Sequence, residues 1–225
     1  MGRLLMVATA APAEERVVLH NISWETYERL LSENVNSTGT RFFYNEGNLE
    51  IMVVYAGHET PNRTLAYLAQ ITAEETERDF VDTGSSTCKR EDLKKGFEPD
   101  SSFYFRHASA VRGKPRTDLA ADPPPELIIE VDITSSSLVH FPLYAAVGVS
   151  EIWRYDGQRV HFYALNDQRG YSLIEQSTVL PPMTATQATL FLERNGQMSA
   201  IAWIRSVRQW IRERITGSET EESAR

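Results

Sequence analysis

Two acidic residues interrupt the most apolar stretch of the chain. Leu127-Ile128-Ile129-Glu130-Val131-Asp132-Ile133 is short, rich in β-branched residues and nearly continuous in hydrophobicity, the pattern of a strand covered on both faces. Strand side chains alternate, so Glu130 and Asp132 point the same way. Burying one carboxylate without a partner costs several kcal/mol, and two on one face repel each other. A cation between them removes both penalties. The alternative is a solvated strand end where arginine or backbone groups hold both acids. Glu98-Pro99-Asp100 is a second acidic element, whose proline fixes the approach to Asp100 and withdraws one ladder donor. Such acids suit oxygen-ligand chemistry with Mg2+ or Mn2+. Other chemistries lack their residues. There is no phosphate-cradling glycine loop and no G-x-S-x-G nucleophile elbow, and His58-Glu59 has no second histidine at zinc-protease spacing.

The elements that must position these acids are legible from periodicity. Asn21 to Ser23 offers caps for a helix in which Trp24, Tyr27, Leu30 and Leu31 recur at helical spacing. Arg41 to Tyr44 and Leu49 to Val54 read as a hairpin around Asn45-Glu46-Gly47-Asn48. Thr60-Pro61 starts a helix expected from about Asn62 to Phe80. Lys89 to Lys95 reads as a charged loop, and Phe103-Tyr104-Phe105 as an aromatic strand. Pro142 near a first turn and Gly148 as a cap bracket a helix through Ala146. Glu151 to Tyr155, Arg159 to Leu165 and Tyr171 to Ile174 form a strand meander. Helices over about Thr184 to Arg194 and Ala200 to Ile215 close the chain.

A length of 225 residues suits one core, with residues 1–18 as a flexible N-terminal tail, 19–216 as a single domain and 217–225 as a disordered tail. Arg3 and the apolar run after it faintly imitate a signal peptide, but the segment is barely long enough and reads as a frayed end. The net charge of −8 excludes a strongly basic coat protein for nucleic acid, though not a nuclease with a locally basic face. Cys88 is the single cysteine, so no internal disulfide forms and a cytoplasmic location is expected. No apolar run approaches the roughly 20 residues that span a bilayer, so no membrane partner is expected.

Several segments, in order, resemble one family. They are the Tyr44 to Met52 hairpin with Leu49-Glu50-Ile51-Met52, His58-Glu59, Gly96-Phe97-Glu98-Pro99-Asp100, Pro123 to Thr134, Tyr144, and Gly148 to Asp156. Over roughly residues 20–175 the chain resembles the Uma-type family of putative restriction endonucleases, in the PD-(D/E)XK nuclease superfamily. The resemblance implies an α/β (α+β) restriction-endonuclease-like fold, a mixed central sheet flanked by helices. It implies a Mg2+- or Mn2+-dependent endonuclease that hydrolyses phosphodiester bonds of nucleic acid, DNA foremost. Asp100 and Glu130 match the metal-binding acids, Asp132 joins them as a metal and catalytic candidate, and the Val131 carbonyl matches a further ligand.

The chain departs from that pattern at the catalytic lysine. Asp132 stands two positions after Glu130, and His140 stands four before Tyr144, where relatives place lysine. No lysine follows Lys114. Either His140 substitutes, since histidine works as a base near neutral pH, or a lysine such as Lys89 or an arginine reaches in. His58 and Glu59 are secondary candidates for the metal shell, or simple helix-start chemistry. Lys89, Lys94 and Lys95 are candidate phosphate contacts, or a solvated charge run. A two-fold homodimer is expected, with its apolar patch around Trp153 to Leu165 or at Trp203 and Trp210. The rival reading is a catalytically impaired relative that binds nucleic acid or regulates, and a third is a hydrolase of small phosphoesters.

Overall fold

Alternation along one hairpin decides which residues face the acids. The computed structural model describes residues 14–34, 39–54, 57, 59–114, 117–133 and 136–222. In it β2 (Thr40–Asn45) and β3 (Asn48–Val54) pair as the expected hairpin, with Phe42 opposite Ile51, Phe43 opposite Glu50 and Tyr44 opposite Leu49. Phe42, Tyr44, Leu49 and Ile51 point to one face and pack on α1 (Trp24–Glu33), capped by Ser23. Arg41, Phe43, Glu50 and Met52 hold the alternate positions and share the other face.

Two strands extend this sheet on its flanks. β1 (Glu14–Leu19) pairs with β3, so residues 14–18 are strand and not tail. Its sequence lacks a clean alternation because both faces of this edge strand are exposed. β5 (Cys88–Arg90) and β6 (Lys95–Phe97) form a second hairpin where a charged loop was expected, giving the antiparallel order β1-β3-β2-β6-β5.

The expected mixed sheet is the second one, in the order β11-β10-β9-β8-β7-β4. Its members are β4 (Val81–Asp82), β7 (Ser101–Tyr104), β8 (Leu127–Val131), β9 (Glu151–Tyr155), β10 (Val160–Leu165) and β11 (Tyr171–Ile174). β8 runs antiparallel to β7 and parallel to β9, and all five of its residues are buried. Leu127 and Ile129 join the core formed with α2 (Glu59–Glu75), α5 (Ala185–Asn195) and α6 (Ala200–Glu222). Ile128 faces the other way, into the core shared by Phe43, Phe97 and α4 (Phe141–Val147). The layers are therefore α1, first sheet, α4, second sheet, then α2 with α5 and α6. A short helix α3 (Ala108–Val111) lies in the connection before β8.

Three boundaries differ from the sequence reading. Helix α2 stops early, where Glu77 adopts a left-handed φ of +53° and the Arg78 N–H closes on the Ala73 carbonyl. Helix α6 continues to Glu222, six residues into the segment expected to be disordered. Trp153 and Trp203 are buried in the core, so neither supplies the apolar surface proposed for dimerisation.

Gly96 shows how tightly α1 sits on its sheet. A methyl group there would overlap the hydroxyl and ring carbons of Tyr27, which stacks on Tyr44 at 4.8 Å. Both tyrosines are buried, so the ring has nowhere to retreat. Gly96→Ala is expected to destabilise the protein by about 1–3 kcal/mol, the usual range for overpacking. Urea denaturation measures this; an unchanged midpoint would show that Tyr27 is loosely held.

Candidate functional site

Glu130 shares the face of Ile128 by alternation, which points its carboxylate at α4. There it accepts a hydrogen bond of 2.7 Å from the Tyr144 hydroxyl. Asp100 stands just before β7, and its Oδ2 accepts from the Val131 N–H at 2.9 Å, tying the start of one central strand to the end of its neighbour. Asn62 on α2 clamps the same segment, donating to the Asp100 carbonyl at 3.1 Å and accepting from Ser101 Oγ at 2.8 Å. Asp132 Oδ2 accepts from Ser137 N–H at 2.8 Å and from Arg154 Nε at 2.5 Å. Arg154 lies opposite Glu130 on β9, which carries its side chain onto that face.

These acids line one small cleft, together with Arg16, Glu50, Met52, Val131, Ser136, Ser137 and His140. Its volume is about 10 Å³, room for about one water molecule. A larger cavity of about 670 Å³ lies among α1, β2 and β5, but its half-buried acid, Glu98, is already held by the Thr87 hydroxyl and the Phe42 N–H.

The segment 137–147 delivers three of the contacts from one helical face. Ser137 and His140 open and close a 3-10 turn that leads straight into α4, which carries Tyr144. Each meets a different acid: Ser137 meets Asp132, His140 meets Glu50, and Tyr144 meets Glu130. His140 Nε2 lies 3.2 Å from Glu50 Oε2, and its ring stacks flat on Phe43 at 3.8 Å. Phe43 and Glu50 are opposite neighbours across β2 and β3, so one sheet face builds the whole seat. His140 therefore touches Glu50 and not Glu130 or Asp132, although all four line the cleft.

Electrostatics singles out Glu130. Burial first, and the Asp100 charge second, push its carboxyl well above the usual range, against a lowering bond from Tyr144. Burial also raises Asp132, while Ser137 and Arg154 pull it down. Asp100 Oδ1 has the Arg41 guanidinium at 4.0 Å. Arg154 and Ser137 occupy Asp132, and among the described residues no three histidine, cysteine or acidic side chains gather closely enough to hold an ion. What remains for a cation is the Asp100 and Glu130 pair.

The other candidates lie elsewhere. His58 falls outside the described residues. Glu59 is exposed at the start of α2 and ion-paired with Arg63. Lys89, Lys94 and Lys95 belong to the β5–β6 hairpin, away from the cleft. Lys89 pairs with Glu28, Lys94 with Glu91 and Lys95 with Glu46. Glu50 and Arg16 were missed as site residues. Glu50 carried a signal, since it is an acid set between apolar neighbours in Leu49-Glu50-Ile51-Met52.

The family model described as Uma2, putative restriction endonuclease, matches residues 24–195. Among solved structures the chain is similar to a putative nuclease belonging to DUF820 from Anabaena variabilis ATCC 29413. The two are 14% identical, the match covers 67% of this chain and 90% of that one, and the TM-score is 0.45. No curated protein matches. Among the described residues no helix is long and apolar enough to cross a membrane.

The raised pKa of Glu130 has a stability consequence. Its folded carboxyl holds its proton to higher pH than that of the unfolded chain, which releases it near pH 4.3. Wild-type stability therefore falls as pH rises above that value through the raised folded pKa. Glu130→Gln keeps an acceptor for Tyr144 and removes the buried charge. In EDTA at pH 7.5 it is expected to melt a few degrees higher, since about 1 kcal/mol moves Tm by about 2–4 °C at this size. The gap should close toward pH 4.5. A variant that melts lower at pH 7.5 would contradict this account of the site.

Proposed function

The chain belongs to the Uma2 family of putative restriction endonucleases, and we propose on that premise that it is a divalent-metal-dependent nuclease acting on DNA. The observation that carries the reading is the pair of buried, mutually repelling carboxylates at Asp100 and Glu130, facing a cleft with room for one small occupant. Charge supports it. Glu50, Asp100, Glu130 and Asp132 meet three guanidiniums, those of Arg16, Arg41 and Arg154. A cation between Asp100 and Glu130 would relieve the burial and repulsion that hold the Glu130 carboxyl high.

Asp100, Glu130 and, from the family resemblance, the Val131 carbonyl would hold a Mg2+ or Mn2+ ion, an oxygen donor set of the kind these ions prefer. Such an ion supplies acidity to water and charge to offset that developing on the phosphate. The protein's own residues do the rest. Tyr144 and the Val131 N–H fix the orientation of the two carboxylates. Glu50 accepts from His140 Nε2–H, which leaves the lone pair on Nδ1, a buried atom with no hydrogen-bond partner. Nδ1 would take the proton of the attacking water as its oxygen bonds to phosphorus and the ester P–O bond breaks. Lysine is absent from the cleft, so this histidine stands where relatives have a cation.

The rival reading keeps the fold and loses the chemistry, and the missing lysine is what favours it. One set of assays separates them, on plasmid and single-stranded DNA with Mg2+ or Mn2+. Wild type is expected to cut, Asp100→Asn to lose roughly 100-fold or more, and His140→Ala to lose roughly 100-fold. His140→Lys should retain activity. If wild type is inert and His140→Lys cuts, the impaired-relative reading is correct. Mn2+ should raise the Tm of wild type and leave that of Asp100→Asn unchanged.

A further inference from the structure

We propose that Arg16 supplies the fixed positive charge that contacts the substrate phosphate at the cleft, held in place by Glu50. The inference deepens the nuclease reading above and rests on it for the identity of the substrate. Arg16 lies on β1 directly opposite Met52, and Glu50 is the next residue on the same face of β3. Its Nε reaches Glu50 Oε1 at 3.2 Å, an ion pair without hydrogen-bond geometry. The other two guanidiniums are buried and serve the acids: Arg154 binds Asp132 and Arg41 sits beside Asp100, each with a side chain 12% exposed. Arg16 is 38% exposed while still lining the cleft, so it can meet a ligand arriving from solvent. A guanidinium carries five N–H donors in a planar fork, more than one carboxylate oxygen can use, and that fork matches phosphate oxygens.

Glu50 is the positioning residue. Its other oxygen is fixed by His140, itself pressed flat against Phe43. Phe43, His140, Glu50 and Arg16 therefore form one stiff chain of contacts running from the core to the mouth of the cleft. It places a permanent cation near the acids in a protein with no lysine there.

The test uses the full chain and a short fluorescein-labelled DNA duplex, with binding read by anisotropy in Ca2+ across a range of KCl. Arg16→Ala is expected to weaken binding about 10-fold and to lower the log–log salt slope by about one phosphate contact. Arg16→Lys should stay within about 3-fold of wild type, and Arg16→Gln should behave like Ala, which guards against a folding defect peculiar to one variant. Glu50→Gln, which frees Arg16 without removing its charge, should weaken binding about 3-fold with the salt slope kept, and its Mn2+-dependent kcat should fall at least about 10-fold. Arg16→Ala and Arg16→Gln binding DNA with the wild-type affinity and salt slope would overturn the proposal, as would wild type that binds no DNA. Wild type that binds through Arg16 but never cuts with Mg2+ or Mn2+ would sink the nuclease activity alone and leave the Arg16 contact standing.

Discussion

The structure turns on two carboxylates buried where two central strands meet. Asp100 replaces a ladder partner at the end of β8 by accepting from the Val131 N–H, and that bond brings it against Glu130. A protein interior tolerates one such charge only with hydrogen bonds or a counter-charge, and a repelling pair demands more. Nearly every other feature of the cleft answers that demand. Tyr144 donates to one acid, Arg41 flanks the other, Arg154 neutralises the neighbouring Asp132, and Asn62 pins the backbone that carries Asp100. A core of this size could have placed valine or isoleucine at position 130 and been more stable. Keeping the acid there is a stability–function trade, the pattern of a site that meets a ligand.

The second sheet carries the acids, while the first carries what surrounds them. Its inner face presents Arg16, Arg41, Phe43, Glu50 and Met52 in register, toward α4 and the acids. The outer face of the same hairpin is a separate aromatic core against α1. A one-residue slip of β3 would exchange these faces, putting Leu49 and Ile51 into the cleft and Glu50 under Trp24. The aromatic packing of α1 is thus also what holds the register of the cleft side. Gly96 belongs to that arrangement, because only a residue without a side chain lets Tyr27 lie across β6.

Much of this was legible in the chain. The β2–β3 hairpin, the buried β8, the meander from Glu151 and the left-handed cap at Gly148 with φ +93° follow from period, branching and turn residues, and the structure agrees. Asp100, Glu130, Asp132 and His140 were marked as site residues, and they do line one cleft. What escaped was non-local. β1 has no period to read, because it is an exposed edge that forms only when β3 offers a partner. The lysines of the β5–β6 hairpin imitate a loop, and their charge is taken up by Glu28 and Glu46 from other segments and by Glu91 in the hairpin's own turn. The bond from Asp132 to Arg154 and the bond from His140 to Glu50 join residues far apart in sequence, and no spacing rule reaches across them.

Charge placement completes the argument. The proposed phosphodiester site would have to hold a cation and yet admit an anion, which requires acids at depth and positive charge toward the entrance. The cleft has that gradient. Asp100 and Glu130 are buried at its floor, Arg41 and Arg154 are spent on acids beside them, and Arg16 is the guanidinium that keeps solvent contact. His140 sits between the two zones, with its ring orientation set by Phe43 and its tautomer by Glu50. No lysine lines the cleft among the described residues, yet the cleft is not without positive charge. The charge enters instead from the first sheet, through a strand that the linear sequence leaves looking like a tail.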